Sequence, residues 1–396
     1  MMNNSSLALT FTSIGHALMH MFAAFYFVIV LAIEDEWNVS YDELIRLWTI
    51  GALLVGLGSI PAGWFSDRWS RAGMMIIMFI GLGFSSILCG LSENKTVLFI
   101  GLTLLGLFCS IYHPVAISWV VNLSKKTGRA LGVNGIFGGF GVGFGALFAG
   151  FLIDKYNWQT AFIVPGIISI IVGFLLIIAI LFKYISIKNI SIKKSNESSY
   201  SRQNLLLIAL IMLFAIFALG LTFQILQTSA PKVIDLRLKE FNITKMGVGL
   251  SVAFIYGFTG ITTLIGGIMA DRFPLKKIYV IGIIAQAPCF YLIATYTGVP
   301  LIIVCFLAVM FNSGILASEN MLLAKFTPQK HHGTIYGLKF VLAFGAGPIA
   351  VYYVSKVYEF TQEFFISFIS CAIIALISAI FAFFLPIKEK TLNNNI

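Results

Sequence analysis

Only a few polar side chains interrupt the long apolar runs of this chain, and their types limit the chemistry it can do. His16 and His20 lie one helical turn apart, and His113 stands between Tyr112 and Pro114. Gln224 and Gln227 share a run, Glu319 is followed by Asn320, and Lys339 stands alone in a later run. In lipid each such group costs free energy unless it is paired or lines water. Glu319 is a carboxylic acid well inside an apolar run, so it can exchange a proton, with Lys339 as its counter-ion. At a helical rise of about 1.5 Å per residue both lie on the order of 8 Å inside the membrane. A purely structural ion pair is the competing reading. His113 is the second candidate for a proton carrier, because imidazole titrates near neutral pH; a hydrogen-bonded packing histidine beside a proline kink is its alternative. Three imidazoles also suit Zn, Fe or Ni. No carboxylate inside the first six runs and no cysteine at ligand spacing accompany them, so no metal site is expected. His331 and His332, beside Lys330, read as a solvated loop.

The elements that must position these groups follow from composition. Of 396 residues, 59% are hydrophobic and 11% are charged, with a mean hydropathy of +0.95. Soluble domains carry roughly 25% charged residues, so this chain needs lipid as its solvent. Continuous apolar runs of 20 or more residues recur from about 8–33 to about 364–386, and twelve of them fit with short polar connections. Strands of a membrane barrel would instead alternate apolar and polar residues over about ten positions. The fold class is therefore all-α membrane protein, with twelve transmembrane helices in two six-helix bundles. Cys89, Cys109, Cys289, Cys305 and Cys371 all fall inside apolar runs without C-x-x-C spacing and read as small core residues. Trp37, Trp48 and Trp158 lie near run ends, where tryptophan is expected as an interfacial anchor. The segment before the first run lacks Lys and Arg, so no signal peptide is expected.

With the N-terminus inside, seventeen of the twenty-six Lys and Arg residues fall on the cytoplasmic side and eight on the other. That bias places both termini in the cytoplasm and accounts for the net charge of +10 without a nucleic-acid partner. Residues 184–203 are basic and serine-rich, and they read as a cytoplasmic linker between an N-terminal bundle, 1–183, and a C-terminal bundle, 204–396. An internal repeat supports the division. Gly63, Asp67 and Arg68 recur as Gly267, Asp271 and Arg272, and Gly128 and Gly132 recur as Gly333 and Gly337 at nearly the same offset. Two six-helix repeats in one orientation are a signature of rocking secondary transporters. In the fifth run, Gly135, Gly139 and Gly143 form one row and Gly141, Gly145 and Ala149 another. Rows of small residues let helix backbones approach closely in lipid.

At the segments GWFSDRWSRA (63–72) and GGIMADRFPLKK (266–277) the chain resembles the major facilitator superfamily, over nearly its whole length. Ser70 and Ala72 depart from that family's pattern, and Leu275 stands where the first copy has Arg71. The resemblance implies a gating role for Gly63, Asp67, Arg68, Arg71, Gly267, Asp271 and Arg272, as a latch holding the cytoplasmic side closed in the outward-facing state. It also implies a central cavity between helices one, four, seven and ten, with His20 and His113 as neighbours on it. The segment CSIYHPVAISWV (109–120) and the glycine-rich fifth run are similar to the fosmidomycin-resistance branch, although Val115 stands where that branch commonly has an acid. A monomeric, proton-coupled antiporter of the cytoplasmic (inner) membrane is expected from this, exporting a small organic solute. Uptake of a nutrient, a metal ion or a chelate on the same fold remains the alternative. There is no P-loop and no clustered acid/base constellation, so neither catalysis nor a cofactor is expected.

Overall fold

A computed structural model describes residues 4–123, 127–185, 202–326 and 332–386. Most of the linker expected at 184–203 and the tail beyond 386 lie outside the described residues, and so does His331; His332 opens a helix instead of lying in a loop. Among the described residues, twelve helices are long and apolar enough to cross a membrane. In the first half these are span 1 (Ser5–Trp37), span 2 (Tyr41–Arg68), span 3 (Arg71–Gly90), span 4 (Lys95–Val121), span 5 (Ala130–Lys155) and span 6 (Trp158–Leu181). The second half comprises span 7 (Ile208–Arg237), span 8 (Lys245–Arg272), span 9 (Leu275–Thr295), span 10 (Gly298–Leu323), span 11 (Val341–Thr361) and span 12 (Phe365–Phe383). An even number of crossings puts both termini on one face of the protein, called here the terminal face; the other is the distal face.

Spans that border the centre are broken, for identifiable reasons. Pro114 has no N–H to give the Ser110 carbonyl, and span 4 breaks at Ser110 and Ile111 before resuming at Tyr112. Span 10 breaks at Ile315, between Gly314 and Leu316. These two breaks are separated by nearly the same offset as the repeated glycines and aspartates. His113 follows the first break by two residues, and Glu319 follows the second by four.

Close helix packing in lipid relies on small residues, because burying apolar surface gives little driving force there. The two glycine rows of span 5 have different partners. Gly141 and Gly145 face span 1, where an added methyl would strike the Ala17 backbone and Met21. Gly139 and Gly143 face Thr259 and Gly257 of span 8, in the other half of the chain. Span 5 thus packs within its own bundle on one side and slides against the second bundle on the other. Large apolar side chains such as Phe174, Leu175, Ile380 and Phe383 stay exposed, as a lipid-facing surface requires. All five cysteines are free and buried.

One expectation needs correction. Trp48 and Trp158 are buried in the protein, so they pack helices and do not anchor an interface; Trp64 and Trp69, at the terminal end of span 2, are the exposed indoles. Span 7 continues to Arg237, which leaves Lys232 helical and buried near the distal face.

Candidate functional site

A cavity of about 1030 Å³ lies between the two halves. Its walls include Leu131 and Gly132 at the start of span 5, Asp271 at the end of span 8, and Met321 near the end of span 10. These positions are all at the terminal face, so the cavity opens there.

The distal face is closed by pairs between the halves. Lys232 meets Glu34 at 2.6 Å, Lys245 meets Asp35 at 3.1 Å, and Arg46 meets Glu359 at 3.4 Å. Tyr41 donates to the Thr228 carbonyl and Ser355 to the Asp42 carbonyl. Asp154, at the end of span 5, accepts from the backbone N–H groups of Lys245 and Met246, where the first turn of span 8 has donors free. Glu34 and Asp35, at the distal end of span 1, supply the first half's side of two of these pairs. A lysine four residues beyond Thr228, next to Pro231, was the available signal.

On the second-half wall, Glu319 is 3% exposed and its Oε1 lies 2.6 Å from Lys339 Nζ. Lys339 also donates to Asn320 Oδ1 at 2.6 Å, and the Tyr279 hydroxyl donates to Glu319 Oε2 at 3.1 Å. Every charged atom therefore has a charged or hydrogen-bonding partner, which is what a buried pair needs to offset desolvation. Glu319, Asn320 and Lys339 all border the cavity, and so do Gln224 and Gln227 of span 7. Asn312, which sequence reading passed over, also lines it and donates to Gln286 at 3.2 Å.

On the first-half wall the three histidines converge. The rings of His16 and His20 are 4.9 Å apart, and each is 5.5 Å from that of His113. His16 Nδ1 lies 2.7 Å from the Asn134 carbonyl, so Nδ1 carries the proton and Nε2 the lone pair. The Asn134 amide donates to the Tyr112 hydroxyl at 2.9 Å, and that hydroxyl donates to the Thr12 carbonyl. Tyr112 stacks on His16 at 4.7 Å. His16 and His20 line the cavity. His113 does not stand beside His20 on the cavity wall as expected, because Phe344 of span 11 packs over its ring at 4.9 Å. One ring nitrogen from each of the three histidines lies within 4.8 Å of those of the other two.

The repeated loop motifs are placed at the terminal face. Arg71 is buried and bonds both Asp67, at 3.2 Å, and Ser118. Arg68 lies over the Trp64 ring at 4.0 Å. Gly63 packs near Pro114, Gly267 and Asp271 border the cavity, and Arg272 is exposed.

A twelve-helix protein with a central cavity, open on one face and sealed on the other by pairs between two bundles, has the architecture of a two-bundle membrane transporter. The chain belongs to the Major Facilitator Superfamily, whose family model matches residues 12–237 and 205–396. It is similar to the multidrug resistance protein MdtG of Escherichia coli, 23% identical over 63% of this chain and 62% of that protein. It is also similar to the quinolone resistance protein NorB of Staphylococcus aureus, 28% identical over 39% of this chain and 34% of that one. The gallate transporter of Pseudomonas putida is 22% identical over 35% and 31%. The matched stretches thus span between about a third and two thirds of these relatives. The fold is similar to the crystal structure of a bacterial homologue of the human lysosomal transporter Spinster, with a TM-score of 0.75, 14% identity and 97% of each chain covered.

Proposed function

We propose that this protein is a proton-coupled antiporter that exports a small organic solute, as a monomer in the cytoplasmic membrane with both termini in the cytoplasm. The observation that carries this reading is the Glu319–Lys339 pair, a buried acid with one cation on the wall of a cavity open to the terminal face. In the terminal-open state the acid is paired with Lys339, and in this scheme it gives up its proton to that side. Solute then enters the same cavity, where Gln224, Gln227 and Asn312 offer amide groups among apolar walls. Rocking of the bundles breaks the distal pairs, exposes Glu319 to the other side and lets it take up a proton. The protonated acid no longer needs Lys339, so the released cation alters the cavity as the solute leaves. Each turn moves one species in each direction, and no covalent bond is made or broken.

Export is favoured by the similarity to the two resistance proteins, and by the short motifs shared with the fosmidomycin-resistance branch. The similarity to the gallate transporter supports the second reading, uptake of an aromatic or other organic acid. Asp67, Arg68, Asp271 and Arg272 act as the terminal-face latch in the opposite state, a role supported by their repeat positions.

Purified protein in liposomes carrying a lumenal pH indicator tests the coupling. Addition of a transported solute across an imposed pH gradient is expected to elicit a proton flux in the wild type and none in Glu319→Gln. Solute movement without proton flux in the wild type would overturn the coupling.

A further inference from the structure

The three histidines have a geometry that proton exchange at Glu319 does not use. We infer that His16, His20 and His113 form a binding site for one borderline divalent transition-metal ion, of the Zn²⁺ or Ni²⁺ class, on the N-terminal bundle.

One ring nitrogen from each histidine lies within 4.8 Å of those of the other two. Zinc holds imidazole nitrogens at about 2.0–2.1 Å, which brings tetrahedral ligand pairs to roughly 3.3 Å. Ring rotations and small χ1 adjustments of on the order of an ångström per ring close the difference. The donor set is nitrogen only, which suits borderline ions and excludes calcium and magnesium, whose sites are built from oxygen.

The support around His16 is what distinguishes this cluster from three rings packed by chance. Metal-bound histidines usually donate their second N–H to a carbonyl or carboxylate, which fixes the tautomer and the ring plane. His16 does this with the Asn134 carbonyl at 2.7 Å, leaving Nε2 for an ion. Asn134 is held in turn by Tyr112, and Tyr112 by Thr12, while Tyr112 also stacks on the His16 ring. This chain of bonds joins spans 1, 4 and 5 of one bundle. Its one ligand pair within a single helix, His16 and His20, has the i, i+4 spacing that puts both imidazoles on one face.

The site also has access and an open position. His16 and His20 border the cavity, so an ion reaches them from the terminal face, and a water or hydroxide from the cavity completes a fourth ligand. Cavity water screens the double charge, which three neutral ligands alone would not offset in lipid. All three ligands belong to the same bundle, so the bound ion moves with that bundle and does not lock the two halves together. The site is independent of how Glu319 behaves.

Chelator-treated full-length protein with His331→Gln and His332→Gln, to silence the other two histidines of the chain, is titrated with zinc alone by equilibrium dialysis. One saturable equivalent is expected, accompanied by a rise in the thermal midpoint, and Glu319→Gln in the same background is expected to bind equally. His20→Gln and His113→Gln are each expected to lose the equivalent while retaining a monodisperse elution profile. Should those variants fail to fold, X-ray absorption of zinc bound to the parent decides, with three imidazole ligands expected. Absence of saturable binding, binding that persists in a folded His20→Gln protein, or an absorption spectrum without three imidazoles would overturn the site.

Discussion

The two walls of the cavity occupy related places in the repeat and yet carry different chemistry. An offset of 205 residues, the one linking Gly128 and Gly132 to Gly333 and Gly337, carries Asn134 onto Lys339. In the first half, Asn134 reaches across to His16 and Tyr112. In the second, Lys339 reaches across to Glu319 and Asn320. The fifth and eleventh spans thus each contribute a polar side chain, a few residues after a glycine, that ties them to a neighbouring element. One half satisfies it with neutral hydrogen bonds and the other with an ion pair. A duplicated scaffold can therefore hold a buried, ion-paired acid on one side and a hydrogen-bonded imidazole on the other, and the costs of disturbing them should differ accordingly.

The largest difference should come from removing the cation. Lys339→Met leaves Glu319 buried beside a hydroxyl and an amide, and breaking a buried pair costs about 3–5 kcal/mol. Thermal unfolding in detergent should show that loss, and the double variant Glu319→Gln/Lys339→Met should recover most of it. If the double variant is no better than the single one, the pair is not the source of the cost.

Packing around span 5 is the next test. Gly141→Val drives a side chain into the Ala17 backbone and should cost about 1–3 kcal/mol. Gly135 has open space around it and borders the cavity, so Gly135→Val should leave stability within about 0.5 kcal/mol while impeding transport. Equal destabilisation by both would mean that the two glycine rows do not differ in partner.

The neutral counterpart of the ion pair should be cheaper to break. Tyr112→Phe removes the donor to Thr12 and the acceptor for Asn134, at about 1–2 kcal/mol by thermal unfolding. A loss as large as that of Lys339→Met would erase the contrast between the walls.

The pair of Glu363, outside the spans, with Arg237 at the end of span 7 sets the lower end. Burial acts to raise the pKa of Glu363, but hydrogen bonds from Arg237 and the Phe364 amide outweigh it, so the carboxyl titrates below its ordinary value. Its contribution is present above the unfolded carboxylate pKa of about 4.3 and fades as pH falls through the lower folded value. Because the glutamate is 41% exposed, Glu363→Gln should cost only about 0.5 kcal/mol at neutral pH, and the difference from wild type should vanish in acid.

Much of this was legible in the sequence because lipid makes the pattern severe. Twelve apolar runs, the repeated aspartate-arginine loops and the meeting of Glu319 with Lys339 all follow from helix length, spacing and depth. The convergence of His113 on His16 and His20 was only half legible. Pairing at i, i+4 is local, but the break before Pro114 that brings His113 across, and Phe344 that covers it, depend on tertiary packing. The distal closure was illegible for a related reason. Lys232, Lys245 and Glu359 lie near run ends, where a charge is cheap and looks like a loop residue, and only the approach of the two halves gives each its partner. Trp48 and Trp158 were misplaced because residue type near a run end does not say whether lipid or protein lies beside it.

The central claim is that Glu319 carries the coupled proton, and comparing two transport modes tests it most directly. Glutamine mimics the protonated acid permanently. Held in the form from which solute leaves, Glu319→Gln in liposomes is therefore expected to exchange labelled solute against unlabelled solute slowly, and to fail to accumulate it against a gradient when a pH difference is imposed. Accumulation driven by that pH difference in the variant, at the wild-type level, would contradict the account and leave Glu319 as a structural partner of Lys339.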